Sequence, residues 1–162
     1  MQESLARGGL TQLRCSINNL RDDSFMTTVT AAVKTVTDAV RNIKTELCIQ
    51  GTEDGRYSFC VQNIYSSFRE LITNSVRYSG GDRIDVIVKF LDTSIELYVF
   101  DNGRGCREIT AHNGLRGITE RTEELGGTAQ FRSGEGIGFT AVIKIPVPTL
   151  KEESNDKGTD SR

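Results

Sequence analysis

The sequence predicts a two-layer α/β (α+β) fold, in which helices cover one face of a mostly antiparallel sheet and a helical hairpin comes first. Three observations carry this. Apolar residues recur at helical spacing in some stretches and alternate at strand spacing in others. The predicted order is helix-helix-strand-helix-strand-strand-helix-strand-strand, with too little β-α alternation for a doubly wound sheet. The chain has 162 residues, 36% of them hydrophobic, with 16 Gly, which is ordinary globular composition and enough for one core.

The elements follow in chain order. Leu10, Leu13, Ile17 and Leu20 step at helical spacing, and Arg21-Asp22-Asp23-Ser24 reads as a short turn ending in an N-cap. Met26, Val29, Val33, Val36, Val40 and Ile43 then form a 3-4 seam of the kind that pairs helices. Two such helices make an antiparallel hairpin, and pairing with a second copy would bury its open stripe. Residues 1–45 are therefore expected to be a partial dimerisation region, giving a homodimer through the N-terminal helices. The alternative is that the hairpin packs on its own domain. Glu46 to Gln50 reads as a strand, and a long helix is expected from about Tyr57 to Ser79. Its buried stripe is Cys60, Val61, Ile64, Tyr65, Phe68, Leu71, Ile72, Ser75 and Val76. Gly80-Gly81 stops it. Ile84, Val86, Val88 and Phe90, then Ile95, Leu97 and Val99, alternate as a hairpin. A short helix is expected over Leu115 to Leu125, then strands over Thr128 to Ser133 and Phe139 to Val147. Residues 46–148 form the main domain in this reading, and the polar stretch 149–162 reads as a disordered tail.

Composition excludes several classes. There are 20 Lys and Arg against 22 Asp and Glu, so the clustered basic excess of a nucleic-acid clamp is missing. No apolar run approaches the roughly 20 residues needed to span a bilayer, so no membrane contact is expected of this segment. Four cysteines without CxxC spacing and a single His make no recognisable zinc site and read as reduced cytosolic thiols. With one His and no nucleophile elbow, a Ser-His-Asp or Cys-His hydrolase is disfavoured.

Four short constellations can carry chemistry. Glu70, Asn74 and Arg77 stand at i, i+4 and i+7 on one helical face. An Asn oxygen and a Glu-oriented water suit a hydrated hard cation, although such residues also make an ordinary solvated face. Asp101-Asn102-Gly103-Arg104-Gly105 follows an apolar strand, so Asp101 sits at a sheet edge where it can accept from an exocyclic amine such as adenine's. The same run also reads as a plain turn. Asn113-Gly114-Leu115-Arg116-Gly117 opens a helix, whose free N–H groups can seat phosphate, with charge added by Arg116 and Arg104; it also reads as a plain helix cap with solvated arginines. Gly136-Ile137-Gly138-Phe139-Thr140 leads into the last strand and reads as a hairpin turn that needs no ligand. None of these is a GxGxxG or P-loop spacing.

Read together, the runs RELITNSVRYSGG, YVFDNGRGC, NGLRGITERTEELGG and GEGIGFTAVIKIP resemble the ATP-binding catalytic domain of bacterial sensor histidine kinases, in the GHKL ATPase superfamily. The GLRG run and the short distance between the first two glycine boxes resemble the branch that works with NarL-type response regulators. The resemblance implies a mixed sheet covered on one face by helices, with ATP bound between helices and a lid. It matches Asn74 to the residue that coordinates Mg2+ on the triphosphate. Glu70 matches the acidic residue that acts through water or assists proton removal, and Arg77 and Tyr78 match the basic-aromatic pair that follows. Asp101 matches the adenine-reading carboxylate, with Gly103 and Gly105 in its box. Gly114, Leu115 and Gly117 match the second glycine box, and Gly138 the last, with Thr140 beside it. The family usually has Thr directly after that last glycine, where this chain has Phe139. The expected activity is transfer of the ATP γ-phosphoryl to a histidine and then to a response regulator receiver domain, in the cytoplasm. Relatives carry a His-Asp pair at the start of the first dimerisation helix. The corresponding residues, about Met1 to Leu10, hold no His, and His112 lies in the glycine-box region. The chain as given is thus expected to bind ATP without phosphorylating itself. The competing reading is a nucleotide-gated binding protein of the same fold without kinase activity.

Overall fold

A computed structural model describes residues 26–109 and 113–149. The elements are α1 (Val29–Ala39), β1 (Lys44–Gln50), a 3-10 turn (Gly55–Cys60), α2 (Val61–Tyr78), β2 (Arg83–Phe90), β3 (Ser94–Asp101), α3 (Asn113–Glu124), β4 (Thr128–Gly134) and β5 (Gly138–Pro146). The five strands form one sheet in the order β1-β2-β3-β5-β4. β1 runs parallel to β2, and every other neighbouring pair is antiparallel. The sheet is mixed and mostly antiparallel, as expected.

Strand period decides which face meets the helices. Ile84, Val86, Val88 and Phe90 of β2 are buried, and so are Leu97 and Val99 of β3 and Ala141, Ile143 and Ile145 of β5. They pack against Ile64, Phe68, Leu71 and Ile72 of α2 and Leu115 and Ile118 of α3 in one core. The other face carries half-buried and polar residues, among them Tyr98 and Phe100, whose rings stack at 6.2 Å.

The seam helix differs from its expected role. Val29, Val33 and Val36 are wholly buried in the same core as the sheet, with Val40 nearly so, because α1 lies against α2. That apolar stripe is covered by its own domain and is not left open for a second copy. Among the described residues, α1 thus shares one core with the elements that follow Glu46. The reason is that α2 buries more than one stripe, so it needs a second helix beside it over the sheet. The hairpin's first helix, residues 10–20, lies outside the described residues, as do residues 150–162 of the tail.

α1 starts where its free N–H groups find acceptors. Thr28 Oγ1 accepts from Ala31 N at 3.1 Å. Glu53, from the loop after β1, accepts from the N–H groups of Val29 and Thr30 and from the Thr30 hydroxyl. An anion at a helix start is favoured by the aligned peptide dipoles as well. The long helix expected from Tyr57 is divided: a 3-10 turn precedes α2. Tyr57 turns inward there, donates its hydroxyl to Leu91 O at 2.6 Å and sets its ring edge-on to Phe90. Glu53→Ala removes acceptors from two backbone donors and one hydroxyl. The expected loss is about 1–2 kcal/mol of unfolding free energy in a urea titration. A change below about 0.5 kcal/mol would mean that water caps α1 equally well.

Candidate functional site

The open end of the sheet, where β3 finishes and β5 begins, faces the C-terminal half of α2 across a cleft of about 620 Å³. Asp101 is the last residue of β3 and pairs with Ile84 of β2 and Phe139 of β5. It is 7% exposed. A buried carboxylate needs donors, and it has three. Oδ1 accepts from Gly103 N at 3.0 Å and from Phe139 N at 3.2 Å, and Oδ2 accepts from the Ser75 hydroxyl of α2 at 2.9 Å. Gly138 makes this corner possible. Its φ is +78°, and a Cβ there would stand 2.0 Å from Asp101 O.

The opposite wall belongs to α2. Glu70, Asn74 and Arg77, which helical spacing put on one face, line the cleft together with Tyr78. Neither the Glu70 carboxylate nor the Asn74 amide makes a hydrogen bond or ion pair with another described residue, so both are available to a ligand. The Arg77 guanidinium lies 5.1 Å from the centre of the Tyr78 ring. The start of α3 closes in from the side: Gly114 and Leu115 line the cleft, and a Cβ on Gly114 would stand 2.2 Å from Glu70 Oε1. That glycine lets the helix start approach the carboxylate. Asn63 ties α3 to α2, donating to Arg121 O at 2.7 Å.

Of the residues singled out in the sequence, Glu70, Asn74, Arg77, Tyr78, Asp101, Gly105, Gly114 and Leu115 come together on this cleft. Gly103, Gly117, Gly138 and Thr140 are not among its lining residues. Gly103 and Gly138 serve from behind, one as a donor to Asp101 and the other by clearing space for it. Thr140 pairs with Phe100 and Arg132, on the sheet face turned away from the helices. Strand alternation puts Phe139 on the cleft in its place. Arg104 lines the cleft as expected, whereas Arg116 does not and pairs with Glu120 at 2.8 Å.

Sequence reasoning missed Ser75, Ser79, Cys106, Glu108, Ile109 and Ser133. Ser75 carried a usable signal, since a hydroxyl inside an otherwise apolar stripe must find a partner when buried. His112 lies outside the described residues. Among the described residues no three His, Cys, Asp or Glu side chains gather as a metal site. The thiols differ sharply. Burial pushes Cys60 up to about 12, whereas Cys106 is exposed at the cleft and Cys48 is exposed on β1. In a thiol titration of the folded protein, Cys48 and Cys106 are expected to react and Cys60 to stay protected. MgATP is expected to slow Cys106 at least several-fold and to leave Cys48 unchanged, read by peptide mapping.

Sensor histidine kinase LiaS of Bacillus subtilis is 30% identical over 102 residues, covering 61% of this chain and 28% of that protein. Sensor histidine kinase LnrJ of the same organism is 26% identical over 151 residues, covering 92% of this chain and 38% of that protein. This chain thus spans well under two thirds of either relative. Among solved structures, the blue-light activated histidine kinase EL346 of Erythrobacter litoralis superposes with a TM-score of 0.58 at 21% identity, covering 74% of this chain and 40% of that one; the likeness is one of fold. The family model described as "Histidine kinase-, DNA gyrase B-, and HSP90-like ATPase" matches residues 61–149, from the start of α2 past the end of β5, and to that family this chain belongs.

Proposed function

We propose that this chain is the ATP-binding catalytic module of a two-component sensor histidine kinase, passing the γ-phosphoryl of ATP to a histidine and on to a response regulator receiver domain. The observation that carries the reading is the pairing of an anchored carboxylate, Asp101, with a free amide and a free carboxylate, Asn74 and Glu70, on opposite walls of one cleft.

Each wall has a chemical task in this reading. Asp101 accepts from the exocyclic amine of adenine, while Phe139 and Leu115 supply apolar surface for the flat base. The triphosphate runs toward Asn74, where Arg77 and Arg104 offset its charge and the start of α3 offers N–H groups. When bound, Mg2+ supplies positive charge on the phosphate oxygens, with Asn74 as its protein ligand and Glu70 acting through a water. An imidazole nitrogen on an acceptor helix attacks the γ-phosphorus. The bond from that phosphorus to the β,γ-bridging oxygen breaks, ADP leaves with the electron pair, and Glu70 takes the proton the imidazole sheds. Catalysis of this kind is largely positioning and charge neutralisation. The chain's one His, His112, belongs to the glycine-box region, so the acceptor imidazole comes from another helix.

The resident compartment in this reading is the cytoplasm; among the described residues no helix is long and apolar enough to cross a membrane. α1 has spent its apolar face on α2, so a homodimer would form through residues ahead of it.

Two measurements test the assignment. Asn74→Ala is expected to abolish MgATP binding in calorimetric titration, and unchanged affinity would refute its role. Asp101→Ala is expected to erase the preference for ATP over GTP; equal binding of both by the unmutated chain would count against an adenine-reading carboxylate. The kinase reading itself is tested by mixing the chain, radiolabelled ATP and a separate helix bearing an acceptor His. Label on that helix supports it, and tight binding without transfer favours a regulatory protein.

A further inference from the structure

Thr140, the hydroxyl next to the last glycine box, lies on the sheet face away from the cleft, where strand alternation puts it, opposite Phe100. The hydroxyl that touches Asp101 comes from the other wall. Ser75 sits on α2, directly after Asn74, is 4% exposed, lines the cleft, and donates to Asp101 Oδ2 at 2.9 Å.

An ionised carboxylate offers about four lone-pair positions, two on each oxygen. Both positions on Oδ1 are taken, by the N–H groups of Gly103 and Phe139. Ser75 takes one of the two on Oδ2. One acceptor position is left, on a carboxylate whose rotation is blocked by donors from three separate segments. We infer that Ser75 is a positioning residue for base selectivity: it makes Asp101 a single-site acceptor that reads one N–H donor, the 6-amino group of a purine. The inference rests on the nucleotide-binding reading above and refines it.

The chemistry of the alternatives follows from that count. A 6-oxo purine such as hypoxanthine turns a carbonyl lone pair toward the remaining lone pair of Oδ2, and the two repel. It can offer its ring N1–H only if the carboxylate swings or the base slides. Swinging breaks the bonds to Gly103, Phe139 or Ser75. Without the Ser75 hydroxyl, Oδ2 has two open positions and is no longer fixed from the α2 side. The 6-amino group then loses a fixed acceptor, and water or a ring N–H can take the vacated place.

The test compares two triphosphates that differ only at position 6 of the purine, ATP and inosine triphosphate, by calorimetric titration on the full chain and on Ser75→Ala. The unmutated chain is expected to prefer ATP by more than tenfold. In Ser75→Ala the ATP-to-inosine-triphosphate ratio is expected to fall at least tenfold, with inosine triphosphate affinity unchanged or raised. A second variant, Ser75→Cys, keeps the size and offers a weaker donor, and its ratio is expected to lie between the two. If both nucleotides weaken by the same factor in Ser75→Ala, Ser75 serves folding alone and the inference is overturned. The same holds if neither affinity moves. If the unmutated chain binds neither triphosphate, the failure lies in the nucleotide-binding reading beneath it, and the inference falls with it.

Discussion

The arrangement turns on one buried anion. Asp101 stands at the end of a central strand with its carboxylate out of water, and a charge in that position is tolerable only if its oxygens are satisfied. Ser75 of α2, Gly103 of the loop after β3, and Phe139 of β5 each supply a donor. Three segments distant in sequence are thereby pinned to one point. The helix cannot shift along the sheet, the glycine loop cannot open, and β5 cannot slip its register without stranding a buried negative charge. The same carboxylate lines the cleft.

Around that point the domain divides its work by face. The helix-facing side of the sheet is apolar almost without interruption and holds the core, with α1 and α2 side by side over it and α3 beside α2. The far side carries charged pairs such as Arg83 with Glu46 and Asp85, and the stacked Tyr98 and Phe100. The cleft lies at the end of β3, where Asp101 and Ser75 bring polar groups to the inner face. Glu53 matters to this plan because it decides where α1 begins. By accepting from the first N–H groups of α1, it separates that helix from whatever precedes it and commits its apolar stripe to this core.

Much of the site was legible because helix and strand periods act locally. The 3.6-residue repeat is enough to put Glu70, Asn74 and Arg77 on one face of α2, and the two-residue repeat is enough to put Asp101 in line with buried Leu97 and Val99. Other features were not legible for equally physical reasons. The seam of Met26, Val29, Val33, Val36, Val40 and Ile43 has the spacing of a helix that pairs, but spacing does not say with what. An intermolecular helix and a neighbouring α2 present the same kind of surface. On β5, strand alternation already turned Thr140 outward and Phe139 inward; what it could not give was the opposite wall, from which the Ser75 hydroxyl reaches Asp101.

Sequence by itself determined the fold class, the order of the elements from α1 onward, the buried stripe of α2, and the polar residues that α2 turns to the cleft, since each is written in local periodicity and short motifs. Tertiary structure alone decided which surface covers α1, which donors reach Asp101, and which segments meet at the cleft. Those three depend on contacts between residues tens of positions apart: Ser75 lies 26 residues from Asp101 and Phe139 lies 38 from it. No local pattern along the chain encodes a distance in space.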